Sequence, residues 1–322
     1  MSRIYEALQK AESDRKAGLL DREPQAEDQS FSPSLETAPE YEVALPLPKD
    51  ATIQSEAPQQ RRASRSESRS STPELNLNDV PRHVWTPTYS QLPALLERGP
   101  AVEQFRSLRS RIYELRDIKP LKSILISSGL PQEGKSFVAT NLAISLARHK
   151  NSKVLLIDGD MRRYTLHQLL GCQPHPGLAD YLSGKAEMVE VMQRAEEPRA
   201  ADRVRSAILP NLTFIAGGNG GDKAADLSGN PRFSELIRAA SPYFDWIIVD
   251  SSPVLPVSDA VNLARACDGV LLVARGGVTK FQVAQKAQIQ LKASNILGFV
   301  LNAVEKQPQV GTYYGYDADK QE

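Results

Sequence analysis

Cysteine, net charge and long apolar runs are all scarce in this sequence. Only Cys172 and Cys267 occur among 322 residues, which fits a reducing compartment and excludes a disulfide framework. The 39 basic and 39 acidic side chains cancel, so no overall field recruits nucleic acid or an anionic membrane. The longest apolar runs, such as residues 270–274, fall far short of the roughly 20 residues of a membrane helix. The N-terminus also lacks the apolar segment of a signal peptide, so we expect a cytoplasmic protein.

The composition indicates a soluble chain that can build a core. Hydrophobic residues make up 41% and charged residues 24%, which excludes a fully disordered protein, and the length allows two domains. Cys172 and His175 have a spacing seen in zinc sites, but no second cysteine or histidine pair accompanies them. We therefore predict that they are core or loop residues rather than metal ligands.

Proline marks a long segment that does not read as globular. Of the 22 prolines, 11 lie in residues 21–100, and that segment contains a single glycine, Gly99. Its Pro-, Ser- and Gln-rich sequence shows neither strand alternation nor helical periodicity, so it buries too little surface to offset its ordering entropy. We predict a disordered linker over residues 19–98. It contains a basic run at 61–69 for which the sequence suggests no partner.

A short amphipathic helix is predicted ahead of this linker, at residues 1–18. Ser2 is a suitable N-cap, and Ile4, Leu8 and Ala11 share one face. A helix of this length is marginal alone. It either packs on the protein's own domain or docks on a partner, and the sequence favours neither.

Beyond the linker, apolar runs alternate with helical sequences. Runs that are apolar throughout are typical of parallel strands covered on both faces, and the intervening helices supply the covers. We predict an α/β domain at residues 99–305, built on a doubly wound, mostly parallel sheet, with a flexible tail at 306–322. The predicted strands are residues 123–127, 154–158, 212–216, 246–250, 269–274 and 296–301.

A complete phosphate-loop pattern, G-x-x-x-x-G-K-S, runs from Gly129 to Ser136. A predicted strand precedes it and the helical sequence 136–149 follows it, which is the context that the motif requires. Backbone N–H groups and the helix N-terminus then face the phosphates, Lys135 reaches the β- and γ-phosphates, and the Ser136 hydroxyl reaches Mg²⁺. The sequence therefore predicts a P-loop nucleotide-binding fold whose nucleotide contacts include Gly129, Pro131, Glu133, Gly134, Lys135, Ser136 and Phe137.

Two further predicted strands end in carboxylates. Asp158 and Asp160 lie in the sequence D-G-D-M-R, and Asp250 lies in D-S-S-P. Ligands of open α/β sheets bind beyond the carboxyl ends of the strands, so these acids converge on the phosphate loop. A single strand-end aspartate would serve equally well as a helix N-cap, but three converging acids favour chemistry. We predict as catalytic residues Lys135, Asp158, Asp160 and Asp250, as magnesium ligands Ser136, Asp158 and Asp250, and as a further nucleotide contact Arg162.

Together the phosphate loop (Walker A), the strand ending D-G-D-x-R (Walker A′) and the strand ending D-x-x-P (Walker B) resemble the bacterial tyrosine kinases of capsule and exopolysaccharide export. Related partitioning ATPases carry a lysine at the second loop position, where this chain has Leu130, followed by Pro131 as in the kinases. The family's E-x-x-R-x-x-R helix and its C-terminal tyrosine cluster are matched by Glu103, Arg106 and Arg109 and by Tyr313, Tyr314 and Tyr316.

The resemblance implies an ATP- and Mg²⁺-dependent protein tyrosine autokinase that regulates polysaccharide polymerisation and export. It implies that the tail tyrosines are phosphorylated in trans within a homo-oligomeric ring joined through the E-x-x-R-x-x-R helix. It also implies recruitment to the inner face of the membrane by a transmembrane polysaccharide co-polymerase, with protein tyrosines and no nucleic acid as substrates. Asn302 resembles an asparagine that contacts the nucleotide base, and Arg275 and Thr279 also match the family.

Two other functions stay open at this stage: a partitioning-type ATPase switch, against which Leu130 argues, and a nucleotide-binding scaffold of the export machinery. The alternative for the E-x-x-R-x-x-R residues is a solvated charged helix face. The chain departs from the family pattern at Gln132, where glycine is usual, at S-S-P in place of T-P-P, and in the glycine-rich segment 217–233. None of these departures removes a phosphate or metal ligand.

Overall fold

The computed structural model describes residues 75–196, 209 and 211–304. The predicted N-terminal helix, the basic run at 61–69 and the tail at 306–322 lie outside the described residues. Within the described part, no helix is both long enough and apolar enough to cross a membrane.

Eight strands within the described residues form one sheet. They are β1 (Arg82–His83), β2 (Ser123–Ser128), β3 (Val154–Asp158), β4 (Met192–Ala195), β5 (Leu212–Ile215), β6 (Trp246–Asp250), β7 (Gly269–Arg275) and β8 (Ile296–Asn302). Their order across the sheet is β1-β4-β5-β3-β6-β2-β7-β8. Every pairing is parallel except that of β4 with β5. The prediction of a mostly parallel α/β sheet is therefore confirmed.

The central strands are buried along their whole length, as their continuous apolar sequences predict. All residues of β2, β3 and β6 are buried. Such strands need cover on both faces, because neither side can tolerate water. The α-helices within the described residues are α1 (Pro100–Ile118), α2 (Lys135–Ala147), α3 (Leu166–Leu170), α4 (Leu178–Leu182), α5 (Met188–Val191), α6 (Ala224–Ser228), α7 (Arg232–Ala240), α8 (Asp259–Ala264) and α9 (Phe281–Gln290).

Two hydrophobic clusters pack against the sheet. One contains buried residues of α7, α8 and α9, including Phe233 and Leu263. The other contains most of α2 together with Ile112 of α1. Neighbouring residues of one strand divide between them: Leu125 belongs to the first and Ile124 to the second. Alternate side chains of a strand point to opposite faces, so the two clusters cover the two faces of a doubly wound sheet.

The structure corrects the predicted boundary of the linker. Residues 75–98 were assigned to the linker, yet β1 pairs with β4, and Trp85 is only 3% exposed, with its ring edge-on to Phe214 at 6.3 Å. Farther along, Leu92 is fully buried. The packed part of the chain therefore begins by residue 75 rather than at residue 99.

The reason for this error lies in long-range hydrogen bonds. The amide of Ala94 donates to Asn141 Oδ1 at 3.0 Å, and Arg148 donates to the Ala94 carbonyl at 2.7 Å, so helix α2 satisfies the backbone of this irregular segment. A segment anchored at a few isolated side chains has no periodicity to detect. Helix residues about 50 positions away in the sequence stabilise it instead.

Strand β4 was also not predicted, because its sequence does not alternate. The strand has the sequence Met-Gln-Arg-Ala, and its Gln193 is only 4% exposed within the sheet. Its side chain exchanges two hydrogen bonds with the backbone of Gln173, at 3.2 and 2.8 Å. Burial of a polar side chain is acceptable here because both of its polar ends have partners.

We predict that Trp85→Ala lowers the free energy of unfolding by about 3–5 kcal/mol, the usual cost of removing a buried large side chain. The neighbouring Val84 is 64% exposed and offers a matched control. Val84→Ala should change the free energy by no more than about 0.5 kcal/mol. Urea denaturation of both variants measures the difference, and equal effects would contradict the docking of residues 75–98.

Candidate active site

The phosphate loop joins the end of β2 to the start of α2 and depends on two left-handed residues. Gln132 has φ 64° and Gly134 has φ 94°. A Cβ on Gly134 would lie 2.0 Å from Asn302 Nδ2, so only glycine fits there. At Gln132 the left-handed conformation costs about 1–2 kcal/mol, which the rest of the loop must offset. The usual family glycine would avoid this cost.

Helix α2 presents its N-terminus to this loop. Its first intrahelical hydrogen bond runs from the Val138 amide to the Gly134 carbonyl at 2.9 Å. As at the start of every α-helix, the amides before that bond have no intrahelical acceptor. The amides of Lys135, Ser136 and Phe137 are therefore oriented to bind an anion, with the helix dipole adding to the attraction.

Lys135 lies among the predicted acids. Its Nζ is 3.1 Å from Asp160 Oδ2 and donates to Ser136 Oγ at 3.2 Å. The two charged side chains are 14% and 5% exposed, so this is a largely desolvated ion pair. The loop cation and the second Walker A′ acid therefore meet as predicted.

Asp158 and Asp250 lie side by side because β3 and β6 pair in register at their last residues. Between the two Walker A′ acids, the amide of Gly159 donates to the Asp250 carbonyl at 2.8 Å. A Cβ on Gly159 would lie 2.5 Å from that carbonyl oxygen. The glycine of D-G-D thus allows the two strand ends to approach and brings the three acids together.

The carboxylate of Asp158 is fixed by the turn that follows it. Its Oδ1 accepts the Asp160 amide at 3.2 Å, and its Oδ2 accepts the Leu166 amide at 3.1 Å. The side chain is fully buried. Asp158 therefore accepts the first amide of α3 from a position beside the phosphate loop, whereas the N-cap of that helix is Thr165.

Burial and crowding shift the pKa values at this site. Burial, with the nearby Asp250 charge, raises the pKa of Asp158 well above its ordinary value. Burial likewise raises the pKa of Asp250. For Lys135, burial alone would lower the pKa, but the carboxylates of Asp250, Asp160 and Asp158 outweigh it and raise the pKa. Three carboxyl groups thus face a single lysine, and a further cation would favour their ionised forms.

Asp250 shows where such a cation fits. Its Oδ1 is buried and has no hydrogen-bond partner among the described residues. Its carboxylate also interacts with the Ser136 side chain. An unpaired buried carboxylate oxygen beside a hydroxyl is a suitable environment for Mg²⁺ and its water shell, because hard cations prefer oxygen ligands. The described side chains therefore fit the predicted metal.

Arg162 does not contact these acids through a hydrogen bond. Its Nε donates to Asp259 Oδ2 at 2.7 Å and its Nη2 to Asp259 Oδ1 at 3.3 Å. Asp259 begins α8 and is 1% exposed. No sequence pattern indicates this pair, because its members lie 97 positions apart. The pair joins the Walker A′ turn to the helix that follows Walker B.

The side chains of several residues predicted to contact the nucleotide have partners within the protein. The ring of Phe137 packs against Phe105 at 5.6 Å between centroids, so its side chain belongs to the α1–α2 interface. Asn302 Nδ2 donates to the Glu133 carbonyl at 3.0 Å. The Glu133 side chain is 4% exposed. Gly129 packs closely against Val283, which lies 2.9 Å from the place of an added Cβ.

The E-x-x-R-x-x-R residues divide into two environments on α1. Glu103 and Arg106 form an ion pair with side chains 52% and 45% exposed, and Arg106 also donates to the Glu97 carbonyl at 3.0 Å. Arg109 instead donates to the Ser145 carbonyl of α2 at 3.0 Å. Two of the three side chains are thus available at the surface, whereas the third joins α1 to α2.

Comparison with known proteins finds relatives that are named tyrosine-protein kinases. No family model matches the chain. It is 33% identical over 217 residues to the tyrosine-protein kinase YwqD of Bacillus subtilis, covering 66% of this chain and 86% of that one. It is 32% identical over 218 residues to the tyrosine-protein kinase Etk of Escherichia coli K12. The aligned region covers 67% of this chain but only 28% of Etk.

Solved structures with the same fold carry related names. The kinase domain of the Escherichia coli tyrosine kinase Etk superposes with a TM-score of 0.60 at 29% identity, covering 75% of this chain and 89% of that one. The chimerical protein CapA2B2 superposes with a TM-score of 0.60 at 26% identity, covering 70% and 96%. The tyrosine kinase domain of BceF gives 0.52 at 28% identity, covering 62% and 76%.

We predict that Asp250→Asn makes the ligand-free protein more stable at neutral pH. A carboxyl group whose folded-state pKa is raised favours its protonated form, so its ionisation opposes folding as pH rises above its ordinary value. The neutral amide removes this opposition. Thermal unfolding should therefore show a gain at pH 7.5 that shrinks towards pH 4, where the wild-type carboxyl is protonated.

The matched control is Asp117→Asn on α1, where the side chain is exposed. This variant should show no gain at either pH. If Asp250→Asn is less stable than wild type at pH 7.5, the ionised Asp250 carboxylate has a partner that offsets the cost of its burial.

Proposed function

The chain belongs to the bacterial tyrosine-protein kinases, and from that premise we propose that it transfers the γ-phosphoryl group of ATP to tyrosines in the C-terminal tail of a neighbouring copy. The observation that carries this proposal is the buried cluster of Lys135 and three aspartates beside the phosphate loop. Phosphoryl transfer requires mainly positioning and charge stabilisation, and this cluster offers both.

Each side chain of the cluster has a distinct role in the proposed reaction. The α2 N-terminal amides and Lys135 hold the phosphates, and Lys135 neutralises charge that develops on the transferred group. Ser136 and Asp250 hold Mg²⁺, which when bound supplies further positive charge at the phosphates. Asp160 orients Lys135 through their 3.1 Å ion pair. Asp158, held by two backbone amides, accepts the proton of the tyrosine hydroxyl.

Arg162 and Asn302 contribute to this site through the protein itself. Arg162 fixes the Walker A′ turn against Asp259, so it supports the position of Asp158 and Asp160. Asn302 lies at the end of β8 beside Gly134. In the proposed complex with the nucleotide, the side-chain amide of Asn302 stays at the edge of the phosphate loop. The family resemblance implies that an asparagine at this position contacts the nucleotide base.

The acceptors we propose are Tyr313, Tyr314 and Tyr316 of a neighbouring subunit. Twelve residues join Val304 to Tyr316 and reach up to roughly 40 Å when extended, enough for the tail to enter another copy's site. We further propose that subunits assemble through the α1 surface that carries Glu103 and Arg106, both of which are exposed. Each phosphotyrosine adds up to about −2 charge, so phosphorylation would weaken that assembly.

We propose a cellular role from the same family resemblance. The kinase would regulate capsule or exopolysaccharide polymerisation and export, acting in the cytoplasm at the inner face of the membrane. A transmembrane polysaccharide co-polymerase would recruit and activate it. The predicted helix at residues 1–18 is a candidate for contact with such a partner.

Labelling with γ-labelled ATP tests the reaction. Wild type should acquire phosphotyrosine, Lys135→Met should acquire none because the phosphates lose their cation, and a Tyr313→Phe, Tyr314→Phe, Tyr316→Phe variant should lose most of the label. Mixing Lys135→Met, which keeps its tail, with the catalytically intact triple variant should restore labelling of the Lys135→Met chain. Release of free phosphate without protein label would instead support an ATPase switch.

Light scattering tests the assembly surface with two arginines of the same helix. Arg106 and Arg111 each form an exposed i,i+3 ion pair, with Glu103 and Glu114 respectively. Arg106→Ala should reduce both the molar mass and the labelling in trans, because it removes the proposed contact. Arg111→Ala should leave both unchanged. Equal behaviour of the two variants would exclude Arg106 from the interface.

A further inference from the structure

Glu133 lies inside the phosphate loop, but both of its carboxylate oxygens are already engaged. Its Oε2 accepts the Leu130 amide at 2.8 Å, and its Oε1 accepts the hydroxyl of Thr279. The side chain is 4% exposed. A carboxylate bound in this way does not contact a phosphate, which it would repel. Glu133 instead joins the Leu130 amide of the loop to the Thr279 hydroxyl.

Thr279 belongs to the turn that leads from β7 to α9, and its hydroxyl is held by that turn. The hydroxyl accepts the Arg275 amide at 2.8 Å and donates to Glu133. The Thr279 amide in turn donates to the Arg275 carbonyl at 2.9 Å. One hydroxyl can donate and accept at the same time, so the two bonds are compatible. The turn thus fixes one end of a link to the loop.

A second link holds the same loop residue from the neighbouring strand. Asn302, the last residue of β8, donates to the Glu133 carbonyl at 3.0 Å. Thr279 therefore holds the side chain of Glu133 while Asn302 holds its backbone. The carboxyl ends of β7 and β8 together fix the part of the loop that precedes α2.

The loop needs this support because its path is unusual. Gln132 and Gly134, which flank Glu133, both have left-handed backbone conformations. The orientation of the Lys135 and Ser136 amides follows directly from that path. A loop that relaxes at Glu133 would turn these amides away from the phosphates that they bind.

We propose that Thr279 is a positioning residue for nucleotide binding: its hydroxyl, acting through Glu133, holds the phosphate loop in the conformation that accepts phosphates. The inference deepens the proposed function and rests on it only for the kinase readout. Because the loop amides bind the phosphates in the ground state and in the transition state alike, the loss should appear in nucleotide affinity and KM rather than in kcat.

The test compares Thr279→Val, which removes the hydroxyl but keeps the shape, with Thr279→Ser, which keeps the hydroxyl. The full chain is titrated with a fluorescent ATP analogue and Mg²⁺, and tyrosine labelling gives KM and kcat. Loss of a hydrogen bond to a charged group weakens binding by roughly tenfold or more. Thr279→Val should therefore raise Kd and KM about tenfold with kcat within about twofold, and Thr279→Ser should bind within about twofold of wild type.

A double-mutant cycle separates this role from general destabilisation. If Thr279 acts through Glu133, adding Thr279→Val to Glu133→Ala should weaken binding no further than Glu133→Ala alone. Circular dichroism without nucleotide checks that each variant is folded. Unchanged Kd in Thr279→Val, failure of Thr279→Ser to restore binding, or additive losses in the double variant would each overturn the proposal.

The binding readout also separates this inference from the proposed function. A wild-type chain that binds the nucleotide but never labels tyrosine would contradict the kinase reaction. In that case the comparison of Kd values among the Thr279 and Glu133 variants would still decide the role of the hydroxyl.

Discussion

The site depends on an electrostatic imbalance that the fold maintains at one edge of the sheet. Lys135 is surrounded by Asp158, Asp160 and Asp250, and the three acids are all nearly inaccessible to solvent. Such an arrangement opposes folding, because buried carboxylates that lack sufficient counter-charge disfavour their ionised forms. The protein stabilises it through backbone pairing of β3 with β6, which holds Asp158 and Asp250 opposite each other. A magnesium ion held beside Asp250 would supply positive charge to this cluster.

Rigidity around this charge cluster comes from elements that carry no chemistry themselves. The phosphate loop is held by Thr279, in the turn after β7, and by Asn302, at the end of β8. The Walker A′ turn is held by Arg162 against Asp259. Each contact joins a loop to a separate element at the carboxyl ends of the strands. A site that operates by positioning needs such supports, because small displacements of a reacting group lose much of the rate enhancement.

Residues 75–98, which precede α1, also support a functional surface without carrying chemistry themselves. Residues 75–98 contribute Trp85 and Leu92 to a core that also contains residues of α2 and of the sheet. The same segment supplies the Glu97 carbonyl that receives Arg106 of the proposed assembly helix. The position of that helix surface therefore depends partly on a stretch of chain that has the composition of a linker.

Local sequence pattern determined the central strands, the phosphate loop and the convergence of Lys135 with the three aspartates. Those features follow from continuous apolar runs, from glycine spacing and from the rule that parallel strands present their carboxyl ends at one edge. The tertiary structure alone decided that residues 75–98 pack on the domain, that β4 joins the sheet and that Arg162 pairs with Asp259. It also decided that the side chains of Glu133, Phe137 and Asn302 contact the protein. Each of these depends on contacts between residues far apart in the chain, such as Glu133 with Thr279, 146 positions away. No periodicity or motif encodes them, because the partner becomes a neighbour only after the sheet has formed.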